Sequence, residues 1–280
     1  MTDRVGLMKQ LCLVAFGIWS MAPAASAAVT WHDILVPVPG TPRAIGSYTA
    51  GCVQGAMTLP PEGPGFQSMH RARRRFFGHP ALIRYLYALG AAAAQQGLGV
   101  LSIGDLGQAR GGPMPSGHRS HQDGLDVDIW FWLARNGRAL TTAERETVEA
   151  LSMLTPDGRA LDEGQWSPQH IALLRLAAGF DVVARLFVHP LIKKTVCEQT
   201  PGAPWLQKLR PWWGHDDHFH VRLHCPIGET DCRDQDSPPT GDGCGAELAW
   251  WFSEEAHKPP PRIDVTHVPL PAACADVLRR

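Results

Sequence analysis

Two short segments with strictly alternating side chains place the strongest limits on how this chain can fold. In residues 126–133, every second side chain is apolar, namely Val127, Ile129, Phe131 and Leu133. The positions between them hold Asp126, Asp128, Trp130 and Trp132. Because neighbouring side chains of a β-strand point to opposite faces, the pattern predicts a strand with one apolar face and one face that carries two carboxylates. Carboxylates on a strand are costly unless they are solvated, paired or bound to a cation.

The second alternating segment covers residues 218–224. Its apolar positions, which we expect to face the core, are Phe219, Val221 and Leu223; the opposite face holds His218, His220, Arg222 and His224. Two histidines two residues apart on one strand face can point at one metal ion, or one can bind the ion while the other transfers protons. If the two predicted strands are neighbours and both apolar faces pack on the core, Asp128 and His220 lie on the same exposed face of the sheet, at the floor of one cleft.

A loop before the first strand adds two more histidines, His118 and His121. Gly124 permits a tight turn there, so that His121 can fold back over Asp128. The predicted cluster is therefore His121, Asp128 and His220, with His218 beside it. Three nitrogen and oxygen ligands leave a fourth tetrahedral position for water, which is the arrangement of a catalytic zinc site. The residues alone leave other divalent ions open, and either segment by itself is also compatible with a solvated surface.

The N-terminal residues have the pattern of a secretory signal peptide. Arg4 and Lys9 precede an apolar stretch at residues 11–21, and residues 25–27 are Ala-Ser-Ala, the small-x-small form of a cleavage site. We therefore predict a signal peptide over residues 1–27. The apolar stretch is too short to span a bilayer permanently, so no membrane anchor is expected after cleavage.

The cysteine count supports an oxidising compartment. Of seven cysteines, Cys12 lies in the predicted signal peptide, which leaves six: Cys52, Cys197, Cys225, Cys232, Cys244 and Cys274. An even number in an exported chain favours three disulfides, for which fifteen pairings exist. Cys225 and Cys232 flank a short turn-rich loop, which is compatible with a local bridge. A cysteine zinc site is disfavoured because none of the six belongs to a CxxC pair.

Composition and periodicity together indicate a single α+β domain over residues 28–280. The hydrophobic content of 44% is ample for a sizeable core. A net charge of −1 without a basic block argues against a nucleic-acid partner. We predict a central, mainly antiparallel sheet, flanking helices and a disulfide-tied periphery, with an extended wrap over residues 29–65. The predicted helices cover residues 80–96, 141–153, 168–178, 189–198 and 246–255, and further strands cover residues 99–103 and 182–188.

At these residues the chain resembles the penicillin-insensitive murein endopeptidase family of Gram-negative bacteria. That family is similar in fold to the D-Ala-D-Ala metallopeptidases and the hedgehog signalling domain. The resemblance rests on the order His-x6-Asp followed by His-x-His, at residues 121, 128, 218 and 220. It is extended by matching segments at residues 45–52, 74–80, 117–129, 210–226 and 241–248.

The resemblance implies a zinc ion bound by His121, Asp128 and His220, with His118 at a further position sometimes assigned to metal. It implies His218 as the catalytic base or transition-state stabiliser. It also implies the disulfides Cys52–Cys274, Cys197–Cys244 and Cys225–Cys232. The family cleaves the D-alanyl–meso-diaminopimelyl cross-link between peptide stems of peptidoglycan, in the periplasm. Residues 157–160 read Asp-Gly-Arg-Ala where the family has Asp-Gly-x-His; the missing histidine argues against a second metal on that side, and the number of metal ions stays open.

In the expected mechanism, zinc lowers the pKa of a bound water to about 7 and so activates it. His218 carries the proton, a contribution of about 10²–10⁴ in rate. Trp130 shares the active face and is expected to line the substrate groove, while Arg222 pairs either with a substrate carboxylate or in a structural salt bridge. Two alternatives remain: a non-catalytic, zinc-containing protein that binds cell-wall peptides, and a metal-dependent phosphoesterase.

Overall fold

The computed structural model describes residues 30–115, 118–133, 138–258 and 269–280. The predicted signal peptide, residues 1–27, lies outside these ranges. The strands are β1 (Arg43–Ser47), β2 (Ala50–Gln54), β3 (Met57–Thr58), β4 (Glu62–Gly63), β5 (Phe66–Ser68), β6 (Phe77–Gly78), β7 (Leu101–Ile103), β8 (Asp126–Trp130), β9 (Val183–Val188), β10 (Leu209–Pro211) and β11 (His218–Leu223). The α-helices are α1 (Pro80–Gln95), α2 (Thr142–Thr147), α3 (Pro168–Ala178), α4 (Pro190–Gln199), α5 (Ala246–Trp250) and α6 (Ala272–Arg279). No helix within the described ranges is both long enough and apolar enough to cross a bilayer.

A seven-stranded sheet forms the centre of the molecule, in the order β10-β9-β11-β8-β7-β5-β4. The β10–β9 and β7–β5 pairs are parallel and the other neighbours are antiparallel. The two chemistry-bearing strands, β8 and β11, are direct neighbours, and their register places His220 opposite Asp128. The prediction of a single α+β domain with a mainly antiparallel central sheet is therefore confirmed.

The apolar faces of β8 and β11 are buried in the main core. Val127, Ile129, Phe219 and Val221 are all completely inaccessible to solvent. They belong to one hydrophobic cluster with the apolar stripe of α1, which is formed by Leu82, Ile83, Leu86, Leu89 and Ala93. This burial turns the opposite face of the two strands, with its carboxylates and imidazoles, away from the core.

Two helices begin with the same histidine cap. His79 and His189 each precede a proline, and their Nδ1 atoms accept hydrogen bonds from the backbone amides of Ala81 and Leu191, at 3.1 and 3.2 Å. Each cap satisfies one of the free amides at a helix N-terminus. These two histidines therefore have structural roles, as does His170, whose Nε2 lies 2.9 Å from the carbonyl oxygen of Phe131.

Residues 29–65 differ from the predicted extended wrap, because they contain strands β1 to β4. β1 and β2 form a hairpin in which a glycine is required: Gly46 has φ +79°, and a Cβ there would lie 2.2 Å from the carbonyl oxygen of Ala50. The glycines that interrupt the alternation in the sequence are thus part of the strand pairing, in which Gly46 lies opposite Gly51.

Two predicted helices are shorter than expected. α2 begins at the predicted capping box of Thr141 and Glu144 but ends at Thr147, because Val148 adopts an extended conformation and packs with Ala150 against the Trp130 cluster. α5 ends at Trp250 and continues as turns. Tertiary packing overrides local helical preference in the first case.

Three disulfides link peripheral parts of the fold, with the pairing that the resemblance implied. Cys52–Cys274 joins β2 to α6, Cys197–Cys244 joins α4 to the segment before α5, and Cys225–Cys232 closes the loop that follows β11. The expected disulfide-tied periphery is confirmed.

A buried lysine in α4 is expected to make stability depend on pH. Lys193 is inaccessible to solvent, and its Nζ donates hydrogen bonds to the carbonyl oxygens of Leu206 and Asp242, at 2.9 and 2.6 Å. Burial, together with the nearby charge of Arg210, lowers the pKa of Lys193 to about 7. The pKa of a lysine in the unfolded chain is about 10.4. Between pH 7 and this value, Lys193 is protonated in the unfolded chain but neutral in the folded protein. The free energy of unfolding should therefore rise with pH over this range.

The variant Lys193→Met should lack this contribution. Comparing wild type and variant by urea unfolding between pH 7 and 10, we expect the free energy of unfolding of the wild type to rise by up to about 1.4 kcal/mol per pH unit relative to the variant. Parallel pH profiles would contradict a neutral Lys193 in the folded state.

Candidate metal centre

The centre is built from two adjacent strands and the loop that precedes the first. β8 supplies Asp128 and β11 supplies His218 and His220. The turn predicted at Gly124 is present: this residue has φ +78°, and a Cβ there would lie 3.0 Å from the backbone nitrogen of His79. His121 itself adopts a left-handed conformation with φ +67°, which is uncommon for a residue with a side chain.

Four imidazoles surround the carboxylate of Asp128. Its Oδ1 lies 3.1 Å from His220 Nδ1, 3.5 Å from His121 Nε2 and 3.6 Å from His218 Nε2. Its Oδ2 lies 3.5 Å from His118 Nδ1. The structure therefore brings together all four histidines that the sequence placed at the centre. Among the described residues, the possible ligand atoms that all lie within 4.8 Å of one another come from His118, His121 and Asp128, so this set contains His118 in place of the expected His220.

The hydrogen bonding of this cluster fits a bound cation. His121 is completely buried, yet neither of its ring nitrogens has a hydrogen-bond partner. Asp128 Oδ1 is also buried without a hydrogen-bond partner. Buried polar atoms without partners are rare because each costs free energy, and a cation held by His121 and Asp128 would remove that cost. Imidazole and carboxylate ligands suit zinc and several other divalent ions.

Asp126 forms a second layer behind the cluster. The carboxylate is completely buried; its Oδ2 accepts a hydrogen bond from the backbone amide of His121 at 3.1 Å and lies 3.2 Å from His220 Nε2. Arg222 donates to both of its oxygens, at 2.9 and 2.8 Å. Although burial opposes ionisation, Arg222 and His220 hold the pKa of Asp126 well below its usual value. Asp126 thus fixes the backbone of one candidate ligand and the ring of another.

Arg222 takes the structural role that the sequence left open. Besides the two bonds to Asp126, its Nη1 donates to Gln235 Oε1, and its guanidinium lies 3.5 Å from the ring centroid of Tyr48. All three nitrogens are thereby engaged within the protein. The salt-bridge alternative is therefore present in the structure; Arg222 also lines the cleft, and its pairing with a substrate carboxylate stays a prediction.

Trp130 does not line the cleft, in contrast to its expected role in the substrate groove. It is only 6% exposed and packs in a small cluster with Met69 and Leu140. Its ring centroid lies 5.4 Å from that of His70. Because the chain around Met69 and Leu140 covers this end of β8, Trp130 is buried although it shares a strand face with Asp128.

An open cleft of about 550 Å³ lies over the cluster. Imidazoles of His118, His215, His218 and His220 contribute to its lining, and the other lining side chains include Tyr48, Arg119, Phe187, Trp212 and Trp213. A peptide could therefore reach the carboxylate-histidine cluster from solvent.

The protonation preferences of the two outer histidines differ. Burial disfavours the charged form of His218, but Asp128 and a hydrogen bond to Asp217 raise its pKa to about 9. Burial, reinforced by His220 and His218, lowers the pKa of His215 to about 3. His215 therefore stays neutral while His218 carries a proton readily in the metal-free arrangement. Although burial would raise the pKa of Asp128, His121 and His218 hold it well below its usual value.

Two residues near the centre have no clear signal in the sequence. His215 lies outside the alternating segment, in a turn, where its Nδ1 donates a hydrogen bond to the carbonyl oxygen of Trp213 at 2.8 Å. Asp105 follows β7, and its Oδ2 lies 3.0 Å from His118 Nε2 and 2.9 Å from Arg75 Nη1. His215 could have been suspected from its distance of three residues to His218, whereas nothing local distinguishes Asp105.

Replacing Asp126 with asparagine should weaken metal binding. Loss of the carboxylate behind His220 and His121 is expected to lower zinc affinity by about 10–100-fold, as for other carboxylates that support a metal-binding histidine. Titration of the metal-free variant with zinc against a competing chelator measures this. Near-UV circular dichroism checks that the variant is folded, since Arg222 loses its buried partner. An unchanged affinity in a folded variant would contradict the supporting role.

Comparison with known proteins agrees with this geometry. The sequence model of the penicillin-insensitive murein endopeptidase family matches residues 44–279. The chain is 43% identical over 254 residues to the penicillin-insensitive murein endopeptidase of Yersinia enterocolitica, covering 90% of this chain and 91% of that protein. It is 41% identical over 260 residues to the protein of the same name from Klebsiella pneumoniae, covering 92% and 94% of the two chains. With a match over most of its length and a cluster of histidines around Asp128, the chain belongs to the penicillin-insensitive murein endopeptidase family.

Proposed function

We propose that this protein is a zinc-dependent endopeptidase that hydrolyses the D-alanyl–meso-diaminopimelyl cross-links between peptide stems of peptidoglycan. The observation that carries the proposal is the partnerless, buried ligand atoms of His121 and Asp128 beside His220, beneath an open cleft. The names of the related proteins, which are murein endopeptidases, support the substrate and the reaction class.

In this proposal His121, Asp128 and His220 hold the zinc ion. His220 Nδ1 faces Asp128 while its Nε2 faces Asp126, so Asp126 would orient the ring and leave Nδ1 available to hold the ion. His118 Nδ1 lies 3.5 Å from Asp128 Oδ2, and its Nε2 lies 3.0 Å from Asp105 Oδ2, which orients the ring. When bound, zinc polarises the scissile carbonyl and makes water more acidic.

His218 is the proposed proton carrier. Its Nδ1 is hydrogen-bonded to Asp217, which leaves Nε2 directed toward Asp128 and the cleft floor. We propose that a cation on Asp128 would offset the charge that favours the protonated form of His218, so that a neutral Nε2 takes a proton from the attacking water and returns it to the leaving amine of the peptide. The transfer requires no further acid, because the same nitrogen acts in both steps.

The proposed site of action is the periplasm. The predicted signal peptide over residues 1–27 supports export, and three disulfides are typical of an oxidising compartment. The proposed partners are the peptide stems of peptidoglycan, and neither a nucleic acid nor a membrane anchor is part of the proposal.

The proposed function is tested with purified cross-linked muropeptide dimers. We expect cleavage to monomers, loss of cleavage after treatment with a chelator, and recovery when zinc is restored. Mass spectrometry of the products should locate the cut at the D-alanyl–diaminopimelyl bond.

Two results would reject the proposal in favour of its alternatives. Binding of dimers without cleavage by the zinc-loaded protein would indicate the non-catalytic binding protein. Cleavage of a generic phosphodiester, with the dimers left intact, would indicate the phosphoesterase.

A further inference from the structure

One wall of the cleft continues onto the outer surface as a row of tryptophans. Trp212 lines the cleft and is nevertheless 53% exposed. Its ring centroid lies 5.8 Å from that of Trp251, which in turn lies 5.3 Å from that of Trp250. Trp250 is 49% exposed. We call Trp212, Trp251 and Trp250 the aromatic shelf. Exposed aromatic surface that is continuous with a cleft is typical of a ligand-binding groove.

The aromatic shelf is held in place from below. The backbone amide of Trp212 donates to the carbonyl oxygen of Val188 at 2.8 Å, which continues the pairing of β10 with β9. Trp213 packs beneath, with its ring centroid 5.6 Å from that of Trp251 and its Nε1 bonded to the carbonyl oxygen of Ala256 at 3.2 Å. Rings that are already ordered lose little entropy when a ligand stacks on them, so the shelf is suited to binding.

The charges around the shelf indicate which ligand it suits. Residues 246–258 contain three exposed glutamates and one lysine; Glu247 pairs with Arg210, and Glu255 pairs with Lys258. Because this segment holds carboxylates and a single lysine, it lacks the lysine and arginine cluster that an anionic lipid surface attracts. A sugar ring fits both features, because its C–H face can lie on an indole ring while its hydroxyl groups donate hydrogen bonds to carboxylates.

We propose that the aromatic shelf binds the sugar rings of the glycan strand to which the peptide stems are attached. The inference rests on the proposed function, since the cleft must hold a peptidoglycan stem for the neighbouring surface to meet the glycan. The shelf then acts as a subsite that holds the polymer while the stem enters the cleft at Trp212.

A binding experiment tests the shelf without relying on catalysis. Neutral oligomers of N-acetylglucosamine, which lack the carboxylates that peptide-free glycan strands expose, are titrated as the glycan probe into the zinc-loaded wild type and into Trp250→Ala, Trp250→Leu and Trp250→Phe. Trp250 is chosen because it lies outside the cleft lining. We expect the dissociation constant to rise about five- to tenfold for the alanine and leucine variants, and to stay near the wild-type value for phenylalanine, which keeps a flat ring.

Ile227→Ala is the matched control, because Ile227 is a fully exposed apolar side chain in the loop closed by Cys225–Cys232. It should bind glycan like the wild type. Thermal unfolding of each variant checks that the fold is intact. Equal glycan affinity of the wild type and the folded Trp250→Ala variant would overturn the proposal, as would equal losses in Trp250→Phe and Trp250→Ala.

Kinetics separate this proposal from the proposed function. On intact sacculi, Trp250→Ala should raise KM about five- to tenfold, while a sugar-free cross-linked peptide dimer should be cleaved within about twofold of the wild-type rate. A similar loss on the sugar-free dimer would overturn the glycan subsite.

Failure of the wild type to cleave that dimer would instead reject the proposed function. The comparison of glycan affinity between the wild type and the Trp250 variants would still be valid. Vesicle binding or dimerisation that depends on Trp250, without glycan binding, would also overturn the glycan assignment.

Discussion

Replacing His220 with alanine is expected to remove the bound metal and to lower kcat/KM by at least about 10³-fold. His220 Nδ1 lies 3.1 Å from Asp128 Oδ1 and the side chain is buried, so its replacement removes one proposed ligand nitrogen from the centre of the cluster. The loss of several kcal/mol of transition-state stabilisation accounts for the expected effect. Zinc content by mass spectrometry and turnover of cross-linked muropeptide dimers are the two measurements.

His224→Ala provides the control for this substitution. His224 directly follows the same strand, on the same predicted face, but it is exposed and lies outside the cleft. We expect it to keep both the metal and the activity. A His220→Ala protein that still binds one zinc per chain with wild-type affinity would show that His220 is not a ligand.

Replacing His218 with alanine is expected to separate metal binding from catalysis. The variant should keep its zinc and lose about 10²–10⁴ in kcat, the contribution of one positioned proton carrier. The reason is that His218 lies 3.6 Å from Asp128 and faces the cleft, while Asp217 fixes its other nitrogen. Steady-state kinetics on the dimers, with zinc content measured on the same preparation, distinguish the two effects.

Two outcomes would contradict this role for His218. Full activity of the zinc-loaded variant would mean that another group carries the proton. Loss of zinc to the same extent as in His220→Ala would mean that His218 is itself a ligand. An unchanged KM with a lowered kcat would agree with a group that acts only in the transition state.

The strand pattern was sufficient to predict which side chains of the two strands lie close together. Alternation assigns Asp128, His218 and His220 to one face because the period of a strand is exactly two residues. The antiparallel pairing of the two strands then places His220 opposite Asp128. Gly124 indicated where the preceding loop turns back, and the structure places His121 beside Asp128 as expected.

The same pattern could not predict which part of a strand face is open. Trp130 and Asp128 share a face, yet Trp130 is covered by Met69 and Leu140, residues that are distant in the sequence. Arg222 likewise faces the cleft side, but Asp126, Gln235 and Tyr48 engage its guanidinium. Whether a side chain on a strand face is exposed or covered depends on packing by residues distant in the sequence. The alternation of side chains along one strand carries no information about that packing.

Residues outside regular alternation were also difficult to assign. Asp105 supports His118 from the segment after β7, and the hairpin of β1 and β2 is formed by a stretch in which glycine interrupts the pattern. Capping signals were more reliable for helix starts than for helix ends. α2 begins at its predicted capping box but ends early because Val148 packs into a tertiary cluster.

The most direct test of the central claim is a crystal structure of the zinc-loaded protein, with anomalous scattering recorded on both sides of the zinc absorption edge. We predict one strong zinc peak at about 2.0–2.2 Å from a nitrogen of His121, a carboxylate oxygen of Asp128 and a nitrogen of His220. A zinc peak beyond bonding distance of His220, or no zinc peak between these three side chains, would contradict the account.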